Sequence, residues 1–343
     1  MTDKVTVADP QAIVVGIDGS KASRNALGWA ITEARALGRS IRLVGAYTIP
    51  SVAAATIDVS YVPIDDTSIR ASVTAVLKEA AAEVKAAGVE VEAVIEIGDA
   101  AGVLVEESSQ AVLTVVGSRG RGGFAGRLLG TVSSALPAHS HCPTVVVPVD
   151  WSADAERTPK NSSSRPVRDD AGTEFSLDED AETVPGLDHS GSVVVGVDSL
   201  GKDSPALWAA AALARKRGTP LRIIAVVSTT VVGPEWLPSA GDMQRLLDEG
   251  TDKLRAAAAV VGEKFPDLTV HWTLYDGQPA EVLVRASDTA EVLVIGTRGR
   301  GGFAGLLLGS TSQSVLPYSG CPTMVVEAKH TRHLHTPPPE LNL

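Results

Sequence analysis

The stretch GSRGRGGFAGRLLGT at residues 117–131 returns almost unchanged as GTRGRGGFAGLLLGS at residues 296–310. The two stretches are 179 residues apart. Two aspartates that end a similar apolar run, Asp18 and Asp198, are 180 residues apart. Because the offset stays nearly constant over so long a span, the sequence indicates a duplicated domain and not a short solenoid repeat.

Short apolar runs alternate with helical periodicity inside the first copy. AIVVGI, RLVGAY, VEAVIEI, VLTVVG and TVVVPV are typical of buried strands. The segment 23–37 between the first two runs places apolar side chains on one stripe, as in a helix packed on a sheet. Strands that alternate with helices favour a parallel sheet covered on both faces. We therefore predict two tandem doubly wound α/β domains, each with a five-stranded parallel sheet of order 3-2-1-4-5.

The repeat also divides the chain into segments. We expect one domain at 11–149, an acidic disordered linker at 150–191, a second domain at 192–327 and a flexible tail at 328–343. The linker prediction rests on its composition: residues 151–190 hold ten Asp and Glu against four Arg and Lys, with few large apolar side chains. Such a segment buries too little apolar surface to offset its ordering entropy.

Bulk composition excludes several classes of protein. The 343 residues are 44% hydrophobic, enough for two ordinary cores, and carry a net charge of −11, which argues against nucleic acid as a partner. The two cysteines do not make a disulfide framework. The N-terminus lacks the pattern of a signal peptide, and no apolar run is long enough to span a membrane. We expect a cytoplasmic protein without membrane partners.

Two loops are candidates for a ligand site. In doubly wound sheets, ligands bind outside the carboxyl ends of the strands where strand order reverses. The loop after the first strand carries Asp18, and the loop after the fourth strand is the repeated glycine stretch. Gly117 lets a ligand come close to the main chain, and Gly120 frees the loop to turn its N–H groups inward. Gly130 and Thr131 come at the start of a helix whose first amides are unpaired. These features predict a phosphate-binding cradle.

Other interpretations of the glycine stretch fit less well. A dinucleotide fingerprint requires G-x-G-x-x-G directly after the first strand, where this chain has GIDGS. A P-loop requires G-K-[ST], which neither copy has. An RNA-binding RGG tract would be basic and repetitive, whereas this stretch lies between a strand and a helix of an acidic protein.

Each copy resembles the universal stress protein domain, whose nucleotide motif G-x2-G-x9-G-[ST] fits both repeated stretches. The resemblance covers about residues 11–149 and 192–327. It implies ATP in the crevice, with Mg²⁺ on its phosphates and no protein ligand to the metal. The implied ATP-binding residues of the first site are Gly16, Asp18, Ala46, Gly117, Gly120, Arg121, Gly130, Thr131 and Val132. Those of the second site are Gly196, Asp198, Val226, Gly296, Gly299, Arg300, Gly309, Ser310 and Thr311.

The resemblance implies a nucleotide-dependent stress-response regulator and not an efficient enzyme. Slow ATP hydrolysis or autophosphorylation, and a scaffold with purely structural nucleotide, are the alternatives. DGSKAS in the first copy becomes DSLGKD in the second, so we expect the first site to bind ATP more tightly. The last strands, TVVVPV and TMVVEA, are apolar sheet edges that invite pairing. We therefore expect an intramolecular pseudo-dimer of the two domains, with a homodimer of whole chains as a further option.

Overall fold

A computed structural model describes residues 11–49, 66–120, 129–153, 158, 165–173, 188–198, 204–228, 240–297 and 308–327. The chain divides into two compact units, Met1–Val149 and Asp150–Leu343. Each unit contains one of the two sequence copies, so the repeat seen in the sequence is also a repeat of structure.

The first unit is a parallel sheet with helices on both faces, as predicted. Its strands are β1 (Ala12–Gly16), β2 (Ile41–Tyr47), β3 (Val91–Ile97), β4 (Ala111–Gly117) and β5 (Thr144–Val147). Its helices are α1 (Lys21–Leu37), α2 (Thr67–Ala86), α3 (Ala100–Ser108) and α4 (Thr131–His139). The strand order β3-β2-β1-β4-β5 confirms the predicted 3-2-1-4-5. Strands β1 and β4 therefore lie side by side at the switch point, which is where the two candidate loops emerge.

Helix α1 shows how local sequence sets the geometry beside the switch point. Ser20 caps its N-terminus by accepting a hydrogen bond from the Ser23 amide. Gly38 ends the helix with a left-handed φ of 63°, a conformation that glycine adopts without steric penalty. The apolar stripe predicted from the sequence is buried, with Leu27 and Ala30 almost fully removed from solvent. The start of α1 is thus held firmly over the end of β1.

The second unit repeats this arrangement and adds one strand. Its strands are β6 (Arg165–Asp169), β7 (Val193–Gly196), β8 (Leu221–Val227), β9 (Val270–Asp276), β10 (Val292–Gly296) and β11 (Thr323–Val326). Its helices are α5 (Pro205–Arg217), α6 (Ala240–Lys264), α7 (Pro279–Ser287) and α8 (Ser310–Val315). The sheet order is β11-β10-β7-β8-β9-β6, in which the five parallel strands again follow 3-2-1-4-5. In the parts of the chain that the structure describes, no helix has the length and apolar character to cross a membrane.

Strand β6 corrects the expectation that the whole linker is disordered. It pairs antiparallel with β9, at the outer edge of the second sheet. Val167 is 3% exposed, and the Arg168 guanidinium lies 2.8 Å from the Asp248 carboxylate on α6. Backbone pairing and the burial of Val167 offset the ordering entropy locally, although the average composition of the linker indicates disorder. The prediction was wrong for residues 165–173, which form the strand and the turn after it.

Candidate functional site

A cavity of about 250 Å³ lies at the carboxyl ends of β1 and β4 in the first unit. Its floor and walls include Val44, Leu104 and Val116, which are apolar. Arg121 of the predicted first site lies outside the described residues. The other predicted residues all line the cavity, namely Gly16, Asp18, Ala46, Gly117, Gly120, Gly130, Thr131 and Val132.

Ser20 joins the two loops that form the cavity rim. Its hydroxyl donates to the carbonyl of Arg119, 3.2 Å away on the loop after β4, and accepts from the amide of Ser23. Its own amide donates to Oδ1 of Asp18 at 2.9 Å, which fixes the orientation of that carboxylate. The two loops therefore face each other across one crevice, as the strand order predicts.

Two glycines of the site are required by the close approach of protein atoms. A Cβ on Gly117 would lie 2.4 Å from the backbone carbon of Ala22 in the first turn of α1. A Cβ on Gly120 would lie 2.7 Å from Oδ2 of Asp18. Gly117 lines the cavity, and the absence of a side chain there also makes room for α1. Gly120, in contrast, keeps space open beside the carboxylate inside the cavity.

The N-terminus of α4 supplies the hydrogen-bond donors of the cavity. The amides of Thr131, Val132 and Ser133 are in the first turn, where a helix offers its N–H groups no internal partner. The amide of Gly130 is already used, because it donates to the carbonyl of Ser118 at 2.8 Å. The amides of the first turn and the positive end of the α4 dipole suit an anion at this position.

Sequence reasoning missed Ser133, which holds the start of α4 in place. Its hydroxyl donates to the carbonyl of Ser118 at 2.7 Å and accepts from the amide of Gly130 at 3.0 Å. The side chain is 1% exposed, so these bonds are shielded from water. A serine three residues after the last motif glycine is a capping signal that could have identified it.

The second copy keeps similar local contacts where the structure describes it, with a shift of one residue in the carbonyl that the helix serine bonds. The hydroxyl of Ser312, which corresponds to Ser133, donates to the carbonyl of Gly296 at 2.7 Å. The amide of Gly309 donates to the carbonyl of Thr297, and a Cβ on Gly196 would lie 2.9 Å from Leu283. Gly299 and Arg300 lie outside the described residues. The remaining predicted residues occupy positions equivalent to those of the first site, namely Gly196, Asp198, Val226, Gly296, Gly309, Ser310 and Thr311.

The two copies differ at the helix after the first strand. Helix α1 begins at Lys21 with a serine cap, whereas α5 begins four positions later in the alignment, at Pro205. Proline is favoured at the first helical position but would break a helix that started one turn earlier. Ser204, the residue before α5, makes no side-chain cap bond. Leu200, which replaces Ser20 in the alignment, lies outside the described residues.

The fold and the repeated glycine motifs define a class of tandem α/β proteins, with one doubly wound parallel sheet in each half. The chain belongs to the universal stress protein family, which matches residues 10–148 and 190–327.

Relatives in the same family match over nearly the whole chain. Universal stress protein Rv1996 of Mycobacterium tuberculosis is 28% identical over 337 residues, covering 91% of this chain and 94% of the relative. Universal stress protein Rv2005c of the same organism is 30% identical over 320 residues, covering 91% and 96%. The crystal structure of a universal stress protein from Archaeoglobus fulgidus has a TM-score of 0.58 at 23% identity, covering 93% of this chain and 97% of that one. This last likeness supports the fold.

Proposed function

We propose that the first unit binds ATP in the cavity between β1 and β4. The observation that carries the proposal is the pairing of two chemistries in one crevice. Apolar side chains line one part of it, and the first amides of α4 lie at another. A ligand with a flat, weakly polar base and an anionic phosphate chain matches both parts.

Each part of the nucleotide has a candidate partner among the cavity residues. The main chain at Ala46 would contact the base, and the carboxylate of Asp18 would accept from adenosine. The amides of Thr131 and Val132 would bind phosphate oxygens, and Arg119 would add positive charge. Mg²⁺ would be held by the phosphates, whose charge it lowers when bound.

We propose a regulatory role and not efficient catalysis. Of the described residues that line the cavity, Asp18 and Arg119 carry charge, and the rest are glycines or have hydroxyl or apolar side chains. A base at Asp18 would lie near adenosine, whereas hydrolysis needs a group that positions water at the terminal phosphate. Bound nucleotide would instead change the surface that the crevice presents, and so bias contacts with other proteins.

We further propose that the first site binds ATP more tightly than the second. The support is the hydrogen bonding of Ser20 to Asp18 and to the loop of Arg119, since a preorganised site loses less entropy on binding. In the second copy Leu200 replaces Ser20 in the alignment, so the equivalent side chain has no hydroxyl.

Nucleotide released from the denatured protein, followed by calorimetric titration of the emptied protein with Mg·ATP, tests the proposal. Ala46→Leu adds three carbons to a residue that lines the cavity, so we expect tight binding to fall at least tenfold. Ala93→Leu makes the same change at an exposed position on β3 and should leave binding unaltered. The proposal would be contradicted if Ala46→Leu left ATP affinity unchanged, or if the unchanged protein had no affinity for ATP. Steady ADP release that Ala46→Leu abolishes would favour the slow-ATPase alternative.

Pairing of the two halves through their last strands stays a prediction of the sequence. Both β5 and β11 are short strands that are mostly apolar, and such strands are prone to edge pairing. Small-angle X-ray scattering of the full chain distinguishes the outcomes: a compact particle is expected, and two separated beads would contradict the prediction. Light scattering under the same conditions reports whether whole chains also form homodimers.

A further inference from the structure

The junction between the linker and the second unit is anchored by a buried histidine. His189 is 2% exposed, although it belongs to the segment just before β7. Its amide donates to the hydroxyl of Thr289 at 2.9 Å, and its carbonyl accepts from the amide of Ser192 at 3.1 Å. The segment 188–192 is therefore inserted into the second unit at this side chain.

The surroundings of the imidazole suit its neutral form. Nε2 lies 3.5 Å from the hydroxyl of Tyr275, a contact at the long limit of a hydrogen bond. Among the described residues, Nδ1 has no hydrogen-bond partner. The Arg222 guanidinium is near enough to disfavour a second positive charge. Asp188 favours the charge, but its exposed carboxylate already accepts two hydrogen bonds from Ser190.

In the first unit, the charge of the equivalent arginine is balanced by carboxylates. Arg42 on β2 is the counterpart of Arg222. Its guanidinium is paired with Glu92 on β3, and its Nε lies 2.7 Å from Glu107 on α3. Two carboxylates thus balance one half-buried cation, and they raise its pKa against the opposing effect of burial.

Both carboxylates are lost in the second unit. The positions of Glu92 and Glu107 are taken by His271 and Ala286. Among the described residues no carboxylate forms an ion pair with Arg222, whose Nε donates to the hydroxyl of Ser192 at 3.4 Å. His271 is itself engaged, with Nδ1 2.8 Å from Asp170. A proton on the buried imidazole would therefore add charge beside a cation that lacks the paired carboxylates of the first unit.

We propose that His189 is an acid-sensitive anchor: when its imidazole takes up a proton, the segment 188–192 leaves the second unit and frees the end of the linker. The buried imidazolium would have to remain next to Arg222 with no acceptor at Nδ1, whereas release gives it full hydration. Strand β6 is held by contacts that do not involve His189, namely its pairing with β9 and the ion pair of Arg168 with Asp248. Acid would then detach one end of the linker and leave its middle in place.

The expected pH range follows from the pKa of His189, which burial first and Arg222 second lower from 6.5 to about 4. Because the pKa of His189 is lower in the anchored state than in the released state, the anchored state has its full stability above about pH 6.5. That stability is lost as the pH falls from 6.5 towards 4. Linkage between these two values gives a decrease of about 30-fold in the anchoring equilibrium between about pH 7.5 and about pH 5.

Hydrogen exchange of the full-length protein tests the anchor, with each rate divided by its intrinsic chemical rate at the same pH. Protection of residues 188–193 should fall by about 30-fold between about pH 7.5 and about pH 5, while β6 keeps its protection. His189→Phe removes the titrating group, so its protection should not depend on pH; His189→Gln serves the same purpose if the larger ring does not fit. The matched control His139→Gln, at an exposed position, should keep the response of the unchanged protein.

A histidine titration by NMR provides the second measurement. The His189 resonance should titrate well below 6.5 and in step with the loss of protection. An imidazole that titrates near 6.5 while the segment stays protected would overturn the proposal. The same conclusion would follow if His189→Phe and His189→Gln, both folded at neutral pH, lost protection in acid as the unchanged protein does.

Discussion

Gly117→Ala should destabilise the first unit although it adds one methyl group. Gly117 ends β4, and the new Cβ would lie 2.4 Å from the carbonyl carbon and 2.6 Å from the carbonyl oxygen of Ala22. These are backbone atoms in the first turn of α1, so no side-chain rotation relieves the overlap. Either α1 moves away from the sheet or the end of β4 bends.

The expected loss in the free energy of unfolding is about 1–3 kcal/mol, the usual range for an overpacked site, and we expect the upper part of it. Gly28→Ala is the matched control within α1. A Cβ there meets no atom within 4 Å. Because glycine in a helix interior is less favourable than alanine, this control should stabilise the unit by about 0.5–1 kcal/mol. The same substitution, glycine to alanine, is thus expected to lower the free energy of unfolding at position 117 and to raise it at position 28.

Urea unfolding of the full chain, followed by far-ultraviolet circular dichroism, measures both changes. The data need a separate transition for each unit, because two domains do not unfold as one two-state system. Hydrogen exchange in α1 then assigns the affected transition to the first unit. Equal stability of Gly117→Ala and the unchanged protein would refute the close approach of Ala22, and with it our explanation of this motif glycine.

Three further outcomes are expected. Ser133→Ala should reduce ATP affinity by about tenfold with the fold retained, because the start of α4 loses two hydrogen bonds made by a buried side chain. Ser134→Ala removes only an exposed hydrogen bond and should have little effect on affinity. Equal ATP affinities of the two variants would argue against positioning by Ser133. Burial raises the pKa of the Cys142 thiol, so a thiol reagent at about pH 8 should modify the native protein far more slowly than the unfolded one, and equal rates would contradict this. Arg168→Ala should speed hydrogen exchange in β6 while lowering stability by at most about 1 kcal/mol, and unchanged exchange would show that its pair with Asp248 does not hold the strand.

The α/β architecture and its strand order could be predicted because the same sequence pattern occurs in both copies. Alternation of apolar runs with helical segments, in both copies, is compatible with few topologies, and strand order follows from the switch-point rule. The same rule predicted that the loops of Asp18 and Gly120 face each other across a cavity, which the structure bears out.

The individual atomic contacts between residues far apart in the chain could not be predicted, although the strand order and the facing loops could. The reason for Gly117 lies in Ala22, almost a hundred positions earlier, and no local pattern links them. Strand β6 was missed because five residues inside an acidic segment carry too weak a pattern, and its stability comes from the edge of β9. The insertion of His189 depends on space and charge in the second unit, which one sequence does not reveal.

Strand β6 has a consequence for the solubility of the chain. An uncovered outer strand exposes a row of amides and carbonyls on which further strands can assemble. Here β9 is covered by a strand that contains Pro166, and a proline offers no N–H to the next strand. The addition of further strands to the second sheet is therefore hindered by a segment whose composition predicts a disordered linker. Cleavage of the linker on both sides of β6, followed by loss of the strand, would remove this protection and should increase the rate of aggregation.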